Sequence, residues 1–315
     1  MDSSAKPFTG CMLGLATGDA LGAPYEGGPL ERLLWRLIGR TSDGCRRWTD
    51  DTQMAIDLAE SLLTEGRLNP DAFAKRLASS YSWSRGYGPG AARVLRRIRR
   101  GEPWDEAAKH GHAGGSYGNG AAMRAPVLAL FFPDDPEPLV AAARLSAGVT
   151  HAHPLGIEGA VMIATAAQAL LRGSSGDHTL QRVEAVCALP EMTTRLDRVH
   201  AWIASDYEPS PREVATILGN GSTAATSCPT ALYVAIRHLE RPFTTMMEFL
   251  IACRGDVDTL ASMAGALWGI VNGPDHLPPV RLEARDSLLD IAERLFRRQS
   301  EGTAGRHAAE EGSSG

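Results

Sequence analysis

Stretches in which apolar and polar residues alternate are almost missing from this chain, and aromatic residues make up only 6% of its 315 positions. Without that period-two pattern nothing lays down a half-buried sheet, so a sheet-based fold is excluded. No Cys-x-x-Cys occurs, and the five cysteines, Cys11, Cys45, Cys187, Cys228 and Cys253, are odd in number and far apart. That spacing excludes a disulfide frame and a zinc knuckle and fits reduced thiols in a cytoplasmic protein. Positive charge is not in surplus, with 32 Lys and Arg against 37 Asp and Glu and a net charge of -5. Nucleic acid is therefore not an expected partner. The one basic run, Arg93 to Arg100, interleaves Val94, Leu95 and Ile98 and reads as the solvated face of a helix. The opening residues Met1 to Lys6 lack a signal-peptide pattern, and no apolar run approaches the ~18 residues of a membrane span. The expectation is a soluble, intracellular monomer with no membrane partner.

What the chain has in place of alternation is helical periodicity, in segments rich in Ala, Leu, Arg and Glu. The spacing predicts helices over 7–20, 52–65, 70–82, 90–100, 137–148, 156–172, 179–188, 211–218, 229–240, 243–253, 259–271 and 280–298. Pro70, Pro229 and Pro242 fit first-turn positions, where a missing N–H costs nothing. The fold class is all-α. With 43% hydrophobic residues the chain can bury one large core, so a single domain over 7–299 is expected, followed by a disordered polar tail over 300–315. Gly10, Gly14 and Gly18 recur at every fourth position of the first helix, as do Ala261, Gly265 and Gly269 in the helix over 259–271. Such stripes let two helix backbones close on each other. Pairing these two helices would draw Asp19 and Glu26 toward Asp256 and Asp258.

Thr49-Asp50-Asp51-Thr52 and Asp256-Val257-Asp258-Thr259 each put two carboxylates and a hydroxyl at the start of a periodic apolar run. The helix macrodipole favours an acid there by about 0.3–1 kcal/mol, and one Asp suffices for that. Two clusters together carry too much negative charge for one buried site unless cations neutralise it. Oxygen donors without thiolate or imidazole suit hard divalent cations. Between the clusters lie glycine-rich loops, Arg85-Gly86-Tyr87-Gly88-Pro89-Gly90 and Gly114-Gly115-Ser116-Tyr117-Gly118-Asn119-Gly120, and a third follows at Gly219-Asn220-Gly221. Glycines let backbone N–H groups approach an anion, and the second loop, running into Ala121-Ala122-Met123-Arg124, looks like a diphosphate cradle at a helix start. Glycine loops also serve as plain turns. His151-Ala152-His153 has no further histidine at ligand spacing and reads as hydrogen-bonding, with zinc set aside.

Taken in chain order, these segments resemble the ADP-ribosylglycohydrolase family over about residues 8–273. The residues that carry the likeness are Gly10-Cys11-Met12 through Gly18-Asp19-Ala20-Leu21-Gly22 with Tyr25-Glu26, Trp48 through Thr52, Gly115 through Gly120 with Met123-Arg124, Thr150-His151, Leu218 through Gly221, and Gly255 through Thr259. Arg85 through Gly88, Ala143-Arg144-Leu145-Ser146 and Pro229 through Tyr233 are most similar to the ADP-ribosylhydrolase-3 type. The resemblance implies an orthogonal helical bundle with a binuclear metal cleft. Two Mg2+, or Mn2+, would be held by Thr49, Asp50, Asp51, Asp256, Asp258 and Thr259. It implies Glu26 and Asp258 as the catalytic residues, Glu26 as acid/base or water-positioning residue, and Gly88, Gly115, Ser116, Tyr117, Gly118, Asn119 and His151 as the substrate-binding set.

The implied reaction is hydrolysis of the glycosidic bond between ADP-ribose and a modified protein side chain, serine or arginine, or a small acceptor, with water attacking C1″. One departure stands out. Relatives have an aromatic residue shortly before the Gly-Ser-Tyr loop to stack on adenine, whereas this chain has His110-Gly111-His112-Ala113. Either a histidine substitutes or the adenine grip differs. Two other readings share the fold: a non-catalytic ADP-ribose-binding or structural relative, and an immunity protein against an ADP-ribosylating toxin. Keeping both acidic clusters and Glu26 favours the enzyme, because a structural descendant has no physical need for costly clustered carboxylates.

Overall fold

Sixteen α-helices and no strand occupy the described residues of this computed structural model, which are 5–313 without 206; of the side chains at 31 and 302–313 nothing is described. Of the expected tail, 300–315, the backbone continues α16 as far as Ser313, and only 314 and 315 lie outside the described residues. In chain order the helices are α1 (Lys6–Gly22), α2 (Pro29–Ile38), α3 (Asp50–Glu65), α4 (Pro70–Ser80), α5 (Pro89–Arg99), α6 (Trp104–Ala108), α7 (Pro126–Phe131) and α8 (Pro136–Gly148). They continue with α9 (Pro154–Leu171), α10 (Gly176–Glu184), α11 (Pro190–Ile203), α12 (Pro211–Ile217), α13 (Ala224–Arg237), α14 (Phe243–Cys253), α15 (Val257–Asn272) and α16 (Arg285–Ser313).

Local chemistry accounts for many of these boundaries. Thr49 caps α3 by accepting a hydrogen bond from the Asp51 N–H, and Gly66 closes that helix with a left-handed φ of 68°. Ser210 and Glu213 form a reciprocal capping box at the start of α12. In α5, Val94, Leu95 and Ile98 are buried, while Arg96 and Arg99 donate to backbone carbonyls, so the basic run is a helix surface as expected.

Four short or peripheral helices, α2, α6, α7 and α11, were not anticipated by the spacing analysis. The signal was present for two of them: α11 buries Met192, Leu196, Val199 and Trp202, a helical stripe. In α2, Leu30, Leu33, Leu34 and Leu37 share one face, yet all four are exposed. Pro229 is a correction as well. It sits inside α13, which starts earlier because the Thr223 carbonyl accepts the N–H groups of Thr226 and Ser227. The last helix is likewise displaced, beginning at Arg285 instead of 280. A further correction concerns α9. Its 18 residues are long and apolar enough to cross a membrane, contrary to the expectation that no run approaches that length, but most of the helix is buried inside the protein.

The centre of the molecule is the antiparallel pair of α1 and α15. A Cβ added at Gly10 would lie 2.0 Å from the Gly269 carbonyl oxygen, at Gly14 2.2 Å from that of Gly265, and at Gly18 2.0 Å from that of Ala261. No side chain fits these gaps, and the neighbouring atoms are backbone that cannot swing away. Helices α9, α13 and α16 pack around the pair, adding a core that includes Met162, Val234, Leu267 and Leu295. Gly14→Ala is expected to destabilise the protein by about 3 kcal/mol or more through forced separation of the two helices. Urea unfolding monitored by circular dichroism checks this; a midpoint equal to wild type would show that the contact yields freely.

Candidate active site

The antiparallel register of α1 and α15 sets the end of one helix against the start of the other. Around Gly22, a Cβ would meet the Asp258 Cα at 2.6 Å, so only glycine lets the end of α1 reach the start of α15. One turn earlier on α1, Asp19 is fully buried and ties in the start of α3. Its carboxylate accepts from the Thr49 N–H (3.0 Å), the Thr52 N–H (3.1 Å) and the Thr52 hydroxyl (2.6 Å). Two acidic helix N-termini thereby converge.

Oxygen atoms of Asp19, Asp51 and Asp258 lie within 4.8 Å of one another, as do those of Glu26, Asp256 and Asp258. Asp51 Oδ2 accepts from the Thr49 hydroxyl (2.9 Å) and from that of Thr259 (3.4 Å). Its other oxygen, Oδ1, is buried with no hydrogen-bond partner among the described residues. Burial raises the pKa values of Asp50, Asp51 and Asp258 well above the usual carboxylate range, and the charges of neighbouring carboxylates raise them further. Burial likewise pushes Asp19 up to about 6, against the hydrogen bonds that lower it. An orphaned oxygen and a crowd of carboxylates at two positive helix ends fit a hard cation, which supplies the missing partner and the missing charge.

The glycine loops position this cluster and wall the cleft beside it. Residues 118 and 223 pair across the two Gly-Asn-Gly loops, with the Asn119 N–H donating to the Ser222 carbonyl (3.0 Å) and the Ala224 N–H to that of Tyr117 (3.0 Å). Asn119 Nδ2 then donates to Asp256 Oδ2 (2.7 Å), and the Asn220 carbonyl accepts from the Asp256 N–H (2.8 Å). Gly255, at φ 79°, is required there because a Cβ would fall 2.0 Å from the Asn220 oxygen.

Of the residues singled out from the sequence, Glu26, Asp50, Asp51, Gly88, Ser116, Gly118, Asn119, His151, Asp256, Asp258 and Thr259 line one cleft, together with His112 and Met123. Three do not. Thr49 caps α3 behind the cleft lining, its hydroxyl bonded to the Asp51 N–H and to Asp51 Oδ2 at the edge of the acidic cluster. Gly115 is packed against the His153 backbone at φ 90°. Tyr117 stands exposed between His112 and His153, with ring centroids 5.7 and 5.8 Å away. Asp50 lines the cleft but belongs to neither tight oxygen group, whereas Asp19, placed only in the neighbourhood from sequence, belongs to one. Residues 121–125 form turns, and α7 begins only at Pro126; the N–H groups of Ala122 and Met123 both go to the Asn119 carbonyl, so the expected cradle at a helix start is absent there. His153 accepts from the Leu155 N–H through Nδ1 (3.1 Å), capping α9.

The chain that builds this convergence of two acidic helix starts beneath a paired glycine-loop wall matches the ADP-ribosylglycohydrolase family model over residues 2–304. The chain belongs to the ADP-ribosylglycohydrolase family. It is 32% identical to the ADP-ribosylhydrolase ARH3 of Danio rerio over 92% of this chain and 90% of that one. It is 31% identical to ARH3 of Mus musculus over 94% of each chain. A solved structure titled ADP-ribosylglycohydrolase-related protein complex superposes with a TM-score of 0.70 at 27% identity, over 94% of this chain and 99% of that chain. Membership makes this ADP-ribosylglycohydrolase a glycosidic-bond hydrolase. In Asp258→Asn, relief of carboxylate repulsion is expected to raise stability in EDTA by about 1 kcal/mol, while Mg2+ or Mn2+ should stabilise the wild type and not the variant. Thermal melts with and without the ions read both effects; equal metal stabilisation of the two proteins would remove Asp258 from the ion site.

Proposed function

We propose that this enzyme hydrolyses the bond joining C1″ of ADP-ribose to a serine or arginine side chain of a modified protein, or to a small acceptor. The observation that carries the reading is Glu26 set against Asp258, where the acidic cluster meets the loop 116–120. Thr49, Asp50, Asp51, Asp256, Asp258 and Thr259, with Asp19 behind them, would hold two Mg2+ or Mn2+. Bound there, such ions supply charge neutralisation, hold ribose hydroxyls and polarise a water.

The protein's own contributions follow from where its groups lie. Ser116 and the backbone of Gly118 to Gly120 line the wall that the diphosphate and ribose would follow. Glycine at 118 and 120 makes room for the His151 ring against that wall. His112 lines the cleft with the exposed Tyr117 ring beside it, tilted by 34° at 5.7 Å, and would take the place of the expected aromatic residue beside adenine. Glu26 interacts with Asp258, and its charge contributes to raising the Asp258 pKa. A half-buried carboxylate in such company can take a proton from the attacking water or hold one for the departing oxygen or nitrogen. Carboxylates nearby stabilise the oxocarbenium-like state through which glycoside cleavage passes.

Incubation with serine-linked and arginine-linked ADP-ribosyl peptides, in Mg2+, in Mn2+ and in EDTA, tests the proposal by release of free ADP-ribose. Turnover of at least one peptide, abolished by EDTA, is the expected result. Glu26→Gln should lower kcat by about 10²–10⁴-fold while ADP-ribose still binds. Tight ADP-ribose binding with no release from either peptide would instead identify a binding protein.

A further inference from the structure

Arg124 has no accessible surface, and its four hydrogen bonds go to neutral oxygens. Nη1 donates to the Gly120 carbonyl (2.9 Å), Nη2 to the Ser146 carbonyl (2.6 Å) and the Thr150 hydroxyl (3.0 Å), and Nε to Ser146 Oγ (3.4 Å). Thr150 Oγ1 in turn lies 2.8 Å from His151 Nδ1. The direction of that bond follows from counting protons. A guanidinium only donates, so Arg124 occupies a lone pair of Thr150 Oγ1. Nδ1 is then the acceptor available to the buried Thr150 hydroxyl proton among the described residues, and a hydroxyl left without one would be costly. Nδ1 accepts, and the ring proton sits on Nε2.

The far side of the ring faces the glycine loop and the cleft. A Cβ at Gly120 would come within 2.9 Å of Nε2 and one at Gly118 within 3.4 Å, so the two glycines keep this edge of the imidazole clear. His151 lines the cleft, and its ring makes its hydrogen bond through Nδ1, leaving Nε2 for a ligand. We infer that Arg124 and Thr150 are positioning residues that lock His151 as the Nε2–H tautomer, so that it presents a neutral N–H donor to an oxygen of the ligand. With the opposite tautomer a ring lone pair would face that oxygen and repel it. Burial, followed by the charges of Arg124 and His112, pulls His151 down to about 3, which keeps the ring uncharged at neutral pH. Only the identity of the ligand rests on the ADP-ribose reading; the tautomer does not.

Long-range 1H–15N spectra of the imidazoles, assigned with His151→Gln, and calorimetric titration of ADP-ribose test the relay in wild type, Thr150→Val and Thr150→Ser. The wild type is expected to show an Nε2–H pattern unchanged between about pH 6 and 8. Thr150→Val should lose that pattern and bind ADP-ribose about tenfold more weakly, and Thr150→Ser should restore both. An Nδ1–H or imidazolium pattern in the wild type overturns the inference. So does Thr150→Val with its tautomer unchanged, or with a changed tautomer and undiminished affinity. Should Thr150→Val fail to fold, the wild-type spectrum and Thr150→Ser still decide the tautomer. Failure of ADP-ribose to bind the wild type would refute the ligand, while the spectra continue to decide the relay.

Discussion

Backbone contact between α1 and α15 is the constraint from which the active site follows. Glycines at 10, 14, 18, 265 and 269, with Ala261 opposite Gly18, keep the seam down to backbone and one methyl group, and the helices close until their carbonyls would touch any Cβ added at Gly10, Gly14 or Gly18. A contact that tight has one register, because sliding either helix by a residue puts a side chain where only hydrogen fits. Register in the seam is therefore register at its end, where Asp19 on α1 reaches α3 and Gly22 meets Asp258. Packing energy far from the chemistry is what fixes the separation of the carboxylates.

Those carboxylates are held together against their own repulsion. Burial and neighbouring charge raise the pKa values of Asp50, Asp51 and Asp258 in the same direction, and hydrogen bonds only partly oppose this. A core built for stability alone would not gather these groups. The surrounding polar network answers each acid separately: threonines at the starts of α3 and α15 for Asp51, Asn119 of the first Gly-Asn-Gly loop for Asp256, and the capping geometry of α3 for Asp19. Among the described residues, Asp51 Oδ1 is a buried carboxylate oxygen that no protein donor reaches.

Behind the opposite wall of the cleft, a buried cation takes the corresponding role. Arg124 spans the Gly120 carbonyl, the end of α8 and Thr150, so it ties the glycine loop to the helix that precedes His151. Its guanidinium lies 5.2 Å from the ring centroid of Phe73, whose face gives the charge part of its compensation. Acidic and glycine-loop walls are thus anchored to different parts of the core, and the cleft opens between them.

Periodicity alone identified the all-helical class, because burying a face of a helix requires a repeat of three and four that any reader can count. The seam was legible for the same reason, since glycine at every fourth position has few other uses. Both acidic clusters and the glycine loops stood out as residue types gathered where a helix begins or a chain turns. What composition could not tell was which of the marked residues face the cleft. Thr49 caps α3 and reaches Asp51 from behind the lining, Gly115 packs under a backbone, and Asp19, lying within an unbroken apolar helix, joins the oxygen cluster. The pairing of the two Gly-Asn-Gly loops and the Arg124–Thr150–His151 chain arise from contacts between distant segments. Hydrogen bonds across such distances leave no spacing rule in a linear chain, so the fold alone decides them.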